Sequence, residues 1–577
     1  MAKTAASATG TSATAASVLV QHLIDEGIRY VFGITGDTVL PILDAMYDRQ
    51  DEIRYVTCRM EHGATSMADA YSRVTGEPGC VLLHVGPGIS NAVLGTWISQ
   101  KDAVPLIVLS GNLDTFRLGR NLWHEFDVLG VFRHVTKWND QLREAKDIKR
   151  LLRTAFQVAR SGMPGPVHLD LPKDVIKQPA DAPESADLSL AGPARSAFVA
   201  NRGRPDPEAV ERACRLLASA EHPVILAGRG VIWSKASDDL VELAERLAVP
   251  VVTSEMGRGA ISEDHPLCFG IAGHFGRSTA NETLRRSDVV LGLGCRFLNV
   301  NTINWSLIRK DAKIIQVESD PLEIGRQYAV EVGALADAGC FLAEALAYCK
   351  AEGIEDERGP EHPRVKSLAE LHAKETAAFF GADLNAVPIK PQLISREVME
   401  VCDPDAIISV GAGSHTQYAH HIKIRRPDQY LSPIGAGAMA FGFAAGLGAK
   451  LAYPDRQVIV AIGDGDFGMM TQELETSVRE NIPVVVIVYN DCGYGALRLF
   501  QKTYYGERYL GSDYGQTDFA KLAEAYGARG ELIEKPGELR PALERALAAD
   551  VTTVLDVRTN PWEVHYRAPE FKEFHKF

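Results

Sequence analysis

The sequence predicts an α/β protein, with three doubly wound parallel-sheet domains in one chain of 577 residues. Two observations predict it. Short apolar runs alternate with segments of helical periodicity from end to end, the pattern of parallel sheets covered on both faces. Two stretches without that pattern then divide the chain into three blocks of similar size, within the soft prior of about four domains set by length. The first block has strand candidates at 30–33, 55–58, 80–84, 106–109 and 167–171. The Pro-, Ala-, Ser- and Gly-rich stretch 179–207 reads as a linker. The second block has strand candidates at 224–227, 251–253, 289–293 and 314–318. The polar segment "KAEGIEDERGPEHPRVK" separates it from the third, whose strand candidates are 407–410, 458–462, 484–489 and 553–557. The expected boundaries are a disordered tail at 1–13, domains at 14–190, 200–352 and 370–560, and a C-terminal tail at 561–577.

Composition excludes several classes of function. A net charge of −14 argues against nonspecific nucleic-acid binding and against an anionic membrane surface. It does not bear on a small anionic substrate, which feels local charge. The nine cysteines are scattered, odd in number and without a CxxC pair, so reduced cytosolic thiols are expected rather than disulfides or a zinc site. No uninterrupted apolar run approaches the roughly 18 residues of a membrane span. The Ala/Ser/Thr-rich start has no apolar core and is not a secretory signal. A cytoplasmic protein is expected.

The chemistry concentrates in the third block. Gly463-Asp464-Gly465 closes one apolar run, and a second run ends in Asn490-Asp491. Asp464 and Asp491 therefore stand at the carboxyl ends of two strands, where open α/β sheets bind ligands. Gly463 and Gly465 let the backbone approach an anion closely. Hard oxygen ligands beside a helix start suit a magnesium ion holding a diphosphate. Taken alone, the same residues also fit an ordinary loop with acidic helix caps.

This GDG…N(D/N) pattern resembles the signature of thiamine-diphosphate enzymes. In "RMEHGATSMADAYSRVTGEPG" of the first block, Glu61 and Ala64, Ala68, Ala70, Tyr71, Arg73, Gly76 and Gly79 resemble the activating-glutamate region of the same enzymes. The chain is similar over nearly its whole length to the acetolactate synthase/benzoylformate decarboxylase/pyruvate decarboxylase superfamily. The resemblance implies an aminopyrimidine-binding (PYR) domain, a middle domain and a diphosphate-binding (PP) domain. It implies that Glu61 hydrogen-bonds N1′ of the aminopyrimidine, favouring the imino tautomer that generates the thiazolium ylide. It implies that Asp464, Asp491 and the Gly493 carbonyl coordinate Mg2+; many relatives carry asparagine where Asp491 stands. Ser414 and His415 resemble a diphosphate-contacting loop, with Gly463, Gly465 and the backbone N–H of Asp466 on the other side. An Asp466 carboxylate facing phosphate would be costly, so its side chain is expected to point away. "GAGAMAFGFAAGLGAK" resembles the segment whose bulky apolar residue props the bent cofactor, with Gly437 beside it and Met439 as the prop. Met439 taken alone reads equally as a core methionine. Active sites at the interface of a homodimer or homotetramer are implied as well.

Within the superfamily the sequence is mixed. Asp37 stands where pyruvate decarboxylases have an aspartate acting in proton transfer; it also reads as an N-cap for a helix opening at Thr38. His84 matches a catalytic histidine of benzoylformate decarboxylase. His124 and Glu125 match the Gln-Glu pair of acetolactate synthases and, loosely, the paired histidines of pyruvate decarboxylase. An acid/base set of Asp37, His84 and His124 suits protonation of an enamine–carbanion, hence decarboxylation of a 2-oxo acid to an aldehyde, or aldehyde ligation and cleavage. "KDAVPLIVLSG", "GPVHLDLPKDV" and "GDGDFGMMTQELET" resemble acetolactate synthase large subunits instead. The expected function is a 2-oxo-acid decarboxylase/carboligase with a 2-oxo acid or aldehyde as substrate. A 2-hydroxyacyl-CoA or aldehyde lyase and a noncatalytic thiamine-diphosphate-binding paralogue are the alternatives. Segments of the middle block, with Glu318 at a strand end, correspond to regions that hold FAD or ADP in relatives. A Gly-rich turn by itself is weak support, and neither nucleotide is favoured. His274 and Asn301 are candidates for bordering the substrate pocket. The tail "PWEVHYRAPEFKEFHKF" reads either as a lid or as a packed terminus. Arg498, Arg567, Lys572 and Lys576 are candidate contacts for a carboxylate or a CoA phosphate.

Overall fold

The computed structural model describes residues 13–180 and 202–563. The N-terminal tail, most of the linker, and the lid candidate with Arg567, Lys572 and Lys576 lie outside the described residues. Among the described residues eighteen strands form three six-stranded sheets, and every pairing between these strands is parallel. By backbone contacts the chain forms two compact units. One runs to residue 201 apart from 73–76, and the other comprises the remainder.

The first unit contains β1 (Tyr30–Gly33), β2 (Arg54–Thr57), β3 (Gly79–Leu83), β4 (Leu106–Asn112), β5 (Trp138–Gln141) and β6 (Val167–Pro172). Their order is β2-β1-β3-β4-β6-β5. β3, β4 and β6 are buried along their whole length, which is why their sequences are continuous apolar runs. The amphipathic helix Ile148–Arg160 buries Leu151, Leu152, Ala155 and Phe156 in the core. The helix Ala15–Asp25 starts at Thr14, whose side chain accepts from the Ser17 N–H at 3.3 Å.

The second unit carries two sheets. The first has β7 (Pro223–Ala227), β8 (Val251–Thr253), β9 (Cys268–Ile271), β10 (Val289–Leu293), β11 (Lys313–Glu318) and β12 (Val332–Leu335), in the order β12-β11-β10-β7-β8-β9. Counted from β7, that is the 3-2-1-4-5-6 order of dinucleotide-type folds; fold alone assigns no ligand. The other sheet has β13 (Ile407–Val410), β14 (Tyr430–Leu431), β15 (Val458–Gly463), β16 (Val485–Asn490), β17 (Arg529–Ile533) and β18 (Thr553–Arg558), in the order β14-β13-β15-β16-β18-β17. This is the order of the first sheet, strand for strand. Both sheets therefore reverse between their first and third strands, and each has its crevice there.

Thirteen strands were expected, and all thirteen are present with ends displaced by no more than three residues. The five unexpected strands, β5, β9, β12, β14 and β17, are all at sheet edges. An edge strand has a single neighbour and one partly wet side. Trp138–Gln141 and Arg529–Ile533 accordingly carry polar residues and are only partly buried. The polar segment 350–366 is not a bare linker: it spans the end of the helix Ala338–Glu352 and the start of the helix Pro363–Phe380.

Candidate active site

In the first unit the loops after β1 and β3 meet at the crevice. Thr38 and His84 stand on them, with Thr38 Oγ1 2.8 Å from His84 Nδ1. His84 Nε2 lies 3.1 Å from His124 Nδ1, and the two rings meet edge-on at 86°. For two neutral rings this chain has one polarity at a time. If Thr38 donates to His84, then His84 donates to His124, and the outer nitrogen of His124 carries a proton. If the chain reverses, that nitrogen presents a lone pair. Burial lowers the His84 pKa, and the neighbouring His124 lowers it further. His124 sits in the left-handed region at φ 68°. Glu125 holds its loop by accepting from the Gly119 and Leu122 N–H groups. Gly86 is required opposite, since a Cβ there would lie 2.7 Å from the His124 carbonyl oxygen.

Glu61 is the first residue of the helix Glu61–Thr75 and is buried. Its Oε2 accepts from Asn91 Nδ2 at 3.1 Å. A Cβ on Gly88 would come within 3.3 Å of both Glu61 Oε1 and His84 Cβ, so the carboxylate and the histidine flank this one glycine. Asp37 differs from expectation. It opens a short 3-10 turn, Asp37–Val39, and caps nothing. Its side chain is exposed and takes Lys173 Nζ at 2.6 Å, which lowers its pKa. Thr38, Asn91 and Lys173 were not anticipated. The sequence marks Thr38 only as a helix start, and nothing in the local pattern points to Asn91 or Lys173.

In the second unit a cavity of about 360 Å3 opens at the crevice between β13 and β15. Ser414, His415, Gly437, Met439, Gly463, Asp464, Gly465, Asp466, Asp491 and Gly493 all line it. Asp464 begins a one-turn helix, Asp464–Phe467, with a second helix following at Glu473–Arg479. Asp464 Oδ2 accepts from the Gly493 N–H at 3.1 Å. Asp491 Oδ1 is buried with no hydrogen-bond partner. Burial pushes the Asp464 pKa up to about 6; burial and then Asp464 push that of Asp491 up to about 7. Two neighbouring buried carboxylates, one with an oxygen lacking any hydrogen bond, suit a cation site. Among the described residues no group of three or more His, Cys, Asp or Glu side chains is placed to hold a metal. Two carboxylates with a backbone carbonyl are instead the sparse oxygen set that Mg2+ takes when phosphates complete its shell. His415 is buried, its pKa pushed down to about 3, and its Nε2 has no hydrogen-bond partner. Gly413 and Gly463 are needed around it, since a Cβ on either would lie within 2.9 Å of His415 Nδ1. The residues present thus fit a magnesium diphosphate.

The Asp466 side chain is taken up by the backbone around the cavity. Its carboxylate accepts from the Ala412 N–H at 2.7 Å and the Ala440 N–H at 2.6 Å. It ties the Gly411–Ser414 loop to the segment bearing Met439 and supports the left-handed Ala440, at φ 66°. Burial pushes its pKa up to about 7. A Cβ on Gly411 would lie 1.9 Å from Asp466 Oδ2, so that position must be glycine. Other expectations are corrected. Arg498 is buried against Asp491 and Asp513 rather than open to a substrate carboxylate. His274 and Asn301 are buried, and Phe275, next to His274, lines the magnesium-diphosphate cavity. Glu318 ends β11 with its pKa pushed up to about 7 by burial.

Comparison with known proteins agrees with this geometry. Residues 13–131 match the thiamine pyrophosphate enzyme N-terminal TPP binding domain, 210–345 the central domain and 411–557 the C-terminal TPP binding domain. A probable acetolactate synthase large subunit of Methanococcus aeolicus is 35% identical over 560 residues, covering 95% of this chain and 92% of that protein. The acetolactate synthase large subunit of Haemophilus influenzae is 34% identical, with 92% of each chain covered. The acetolactate synthase isozyme 3 large subunit of Escherichia coli is 33% identical, again with 92% of each covered. With its three domains matched in order and its relatives aligned almost end to end, the chain belongs to the thiamine pyrophosphate enzyme family and is a thiamine-diphosphate-dependent enzyme of the decarboxylase/transferase kind.

Proposed function

We propose that this chain is a 2-oxo-acid decarboxylase/carboligase that works with thiamine diphosphate and Mg2+, and that joining two 2-oxo acids, as in acetolactate formation, is its carboligation. The observation that carries the reading is the Thr38–His84–His124 chain beside Glu61. Bound thiamine diphosphate supplies the electron sink for cleaving a C–C bond next to a carbonyl. Glu61 keeps Oε2 on Asn91 and has Oε1 to share a proton with the aminopyrimidine N1′. His84 and His124 hand a proton to, or take one from, the reacting carbon or oxygen, and the Thr38 hydroxyl, able to donate or accept, serves either polarity of the chain. Asp37 works beside them only through its charge, since Lys173 holds it. Asp464, Asp491 and the Gly493 carbonyl hold Mg2+. His415 Nε2, Ser414, Gly465 and the Asp466 N–H would face the diphosphate, and Gly437 and Met439 would shape the bend. The middle domain's strand order gives no ground for an obligatory FAD or ADP.

A homodimer or homotetramer is part of the proposal; the family resemblance, which places the cofactor between the PYR domain of one subunit and the PP domain of another, supports it. A cytoplasmic setting is supported by nine free cysteines and by the absence, among the described residues, of a helix long and apolar enough to cross a membrane.

Product analysis tests the reading. The protein is supplied with thiamine diphosphate, Mg2+ and, in turn, pyruvate, benzoylformate and branched 2-oxo acids, while CO2, aldehyde and hydroxyketone are followed together. CO2 with acetolactate or another hydroxyketone is the expected outcome from pyruvate. CO2 with aldehyde alone would remove the carboligation and leave a decarboxylase. No CO2 from any acid would overturn the proposal.

A further inference from the structure

The second metal-facing residue is an aspartate, and an arginine lies against it. Arg498, on the helix Gly495–Tyr504, has a side chain only 6% exposed. Its Nε donates to Asp513 Oδ1 at 2.7 Å and its Nη2 to the Asp491 carbonyl at 3.3 Å. Its Nη1 makes no hydrogen bond and lies 3.5 Å from Asp491 Oδ2. Gly493 makes this seat possible, because a Cβ there would lie 2.1 Å from Nη2. One cation, shared with Asp513, therefore sits against Asp491.

The electrostatics of such a site pull two ways. A divalent cation prefers the full charge of both Asp464 and Asp491. A diphosphate is repelled by the same charge once it exceeds what the metal neutralises. An asparagine at 491 would lower the negative charge by removing it. A guanidinium behind Asp491 lowers it by opposing it, and leaves the second metal-facing carboxylate in place. We infer that Arg498 is the charge partner of Asp491, a positioning residue that lets a two-aspartate cradle accept both a divalent cation and a diphosphate. The inference rests on the reading of this cavity as the magnesium diphosphate site.

Charge partnership has a signature that loss of packing does not. Removing the cation should strengthen metal binding and weaken diphosphate binding. Removing the anion should do the reverse. The test measures Mn2+ affinity by electron paramagnetic resonance at saturating thiamine diphosphate, and thiamine diphosphate affinity by calorimetry at saturating Mg2+, on the full-length protein. Arg498→Met is expected to bind Mn2+ roughly tenfold more tightly and thiamine diphosphate roughly tenfold more weakly, with Asp491→Asn shifted in the opposite directions. The double variant is expected to return towards wild type for both ligands, and Arg498→Lys to stay close to it. Weakening of both ligands in Arg498→Met, with additive losses in the double variant, would overturn the inference and leave Arg498 as a packing residue. If Arg498→Met does not fold, Asp491→Asn and Arg498→Lys decide alone: the inference fails if Asp491→Asn does not bind thiamine diphosphate more tightly. A wild-type protein that binds neither ligand would overturn the reading of the cavity itself.

Discussion

Glu61 is the residue on which turnover depends most directly. Glu61→Gln keeps the shape and the Asn91 contact but cannot share a proton, and kcat is expected to fall roughly 10²–10⁴-fold. Near-wild-type kcat in steady-state assays would remove Glu61 from the chemistry. The histidine chain makes a signed pH prediction. His84 is held below the ordinary histidine value by burial first and His124 second. Taking away His124 removes one lowering influence, so the acid limb of kcat/KM in His124→Gln is expected to move to higher pH. Thr38→Val should lower kcat/KM by leaving His84 Nδ1 unpartnered, and Thr38→Ser should restore it. An unmoved profile in all three would show that the chain does not carry the proton. Glu61 and His84 were legible in the sequence because they stand at a helix start and a strand end; His124 lies in a loop and was legible only through the family resemblance. Thr38 was not, since a buried hydroxyl announces its partner only after two loops are brought together.

At the scale of elements, the loops that follow β13 and β15 are locked by one carboxylate. Asp466 joins Ala412 to Ala440, and Gly411 leaves room for it. Gly411→Ala is expected to destabilise the protein by about 1–3 kcal/mol through overpacking and to weaken thiamine diphosphate binding, as read by thermal unfolding and calorimetry. An unchanged unfolding midpoint would mean that the loops yield without cost. The strands themselves show which elements a sequence reveals. β10 and β15 lie inside their sheets, with long apolar runs to declare them. β5 and β17 have one strand neighbour each, and nothing in their composition requires burial. Tyr430–Leu431 is too short for any period to appear.

At the scale of the molecule, buried ionisable groups set the acid stability. His168 is fully buried in the first unit between Ser110 and Phe132, with its pKa pushed down to about 3. Its folded value lies below the unfolded value of about 6.5. The neutral ring therefore contributes its stability above pH 6.5, and that contribution is lost as pH falls towards 3. His168→Gln should flatten this acid limb by roughly 3 kcal/mol in denaturant titrations from pH 7 to 4. Parallel wild-type and variant curves would exclude the effect. Asp466 and Glu318 work in the opposite direction. Their raised values favour the neutral acid, whose stabilising contribution is lost as pH rises through about 7. Ligand linkage is superimposed on both. Thiamine diphosphate with Mg2+ at about 100 times its Kd should add roughly 2.7 kcal/mol, reversed by a chelator.

By itself the sequence determined the three α/β blocks, the interior strands and the loops that carry the chemistry. Apolar runs must be buried, and acidic or glycine-rich strand ends have few other uses. Only the tertiary structure decided five of the six edge strands, the identical strand order of the first and third sheets, the pairing of Asp37 with Lys173 rather than with a helix start, and the seating of Arg498 behind Asp491. Each of these depends on which distant segments come within hydrogen-bonding or Coulombic reach, and reach is a property of the packed chain rather than of local composition.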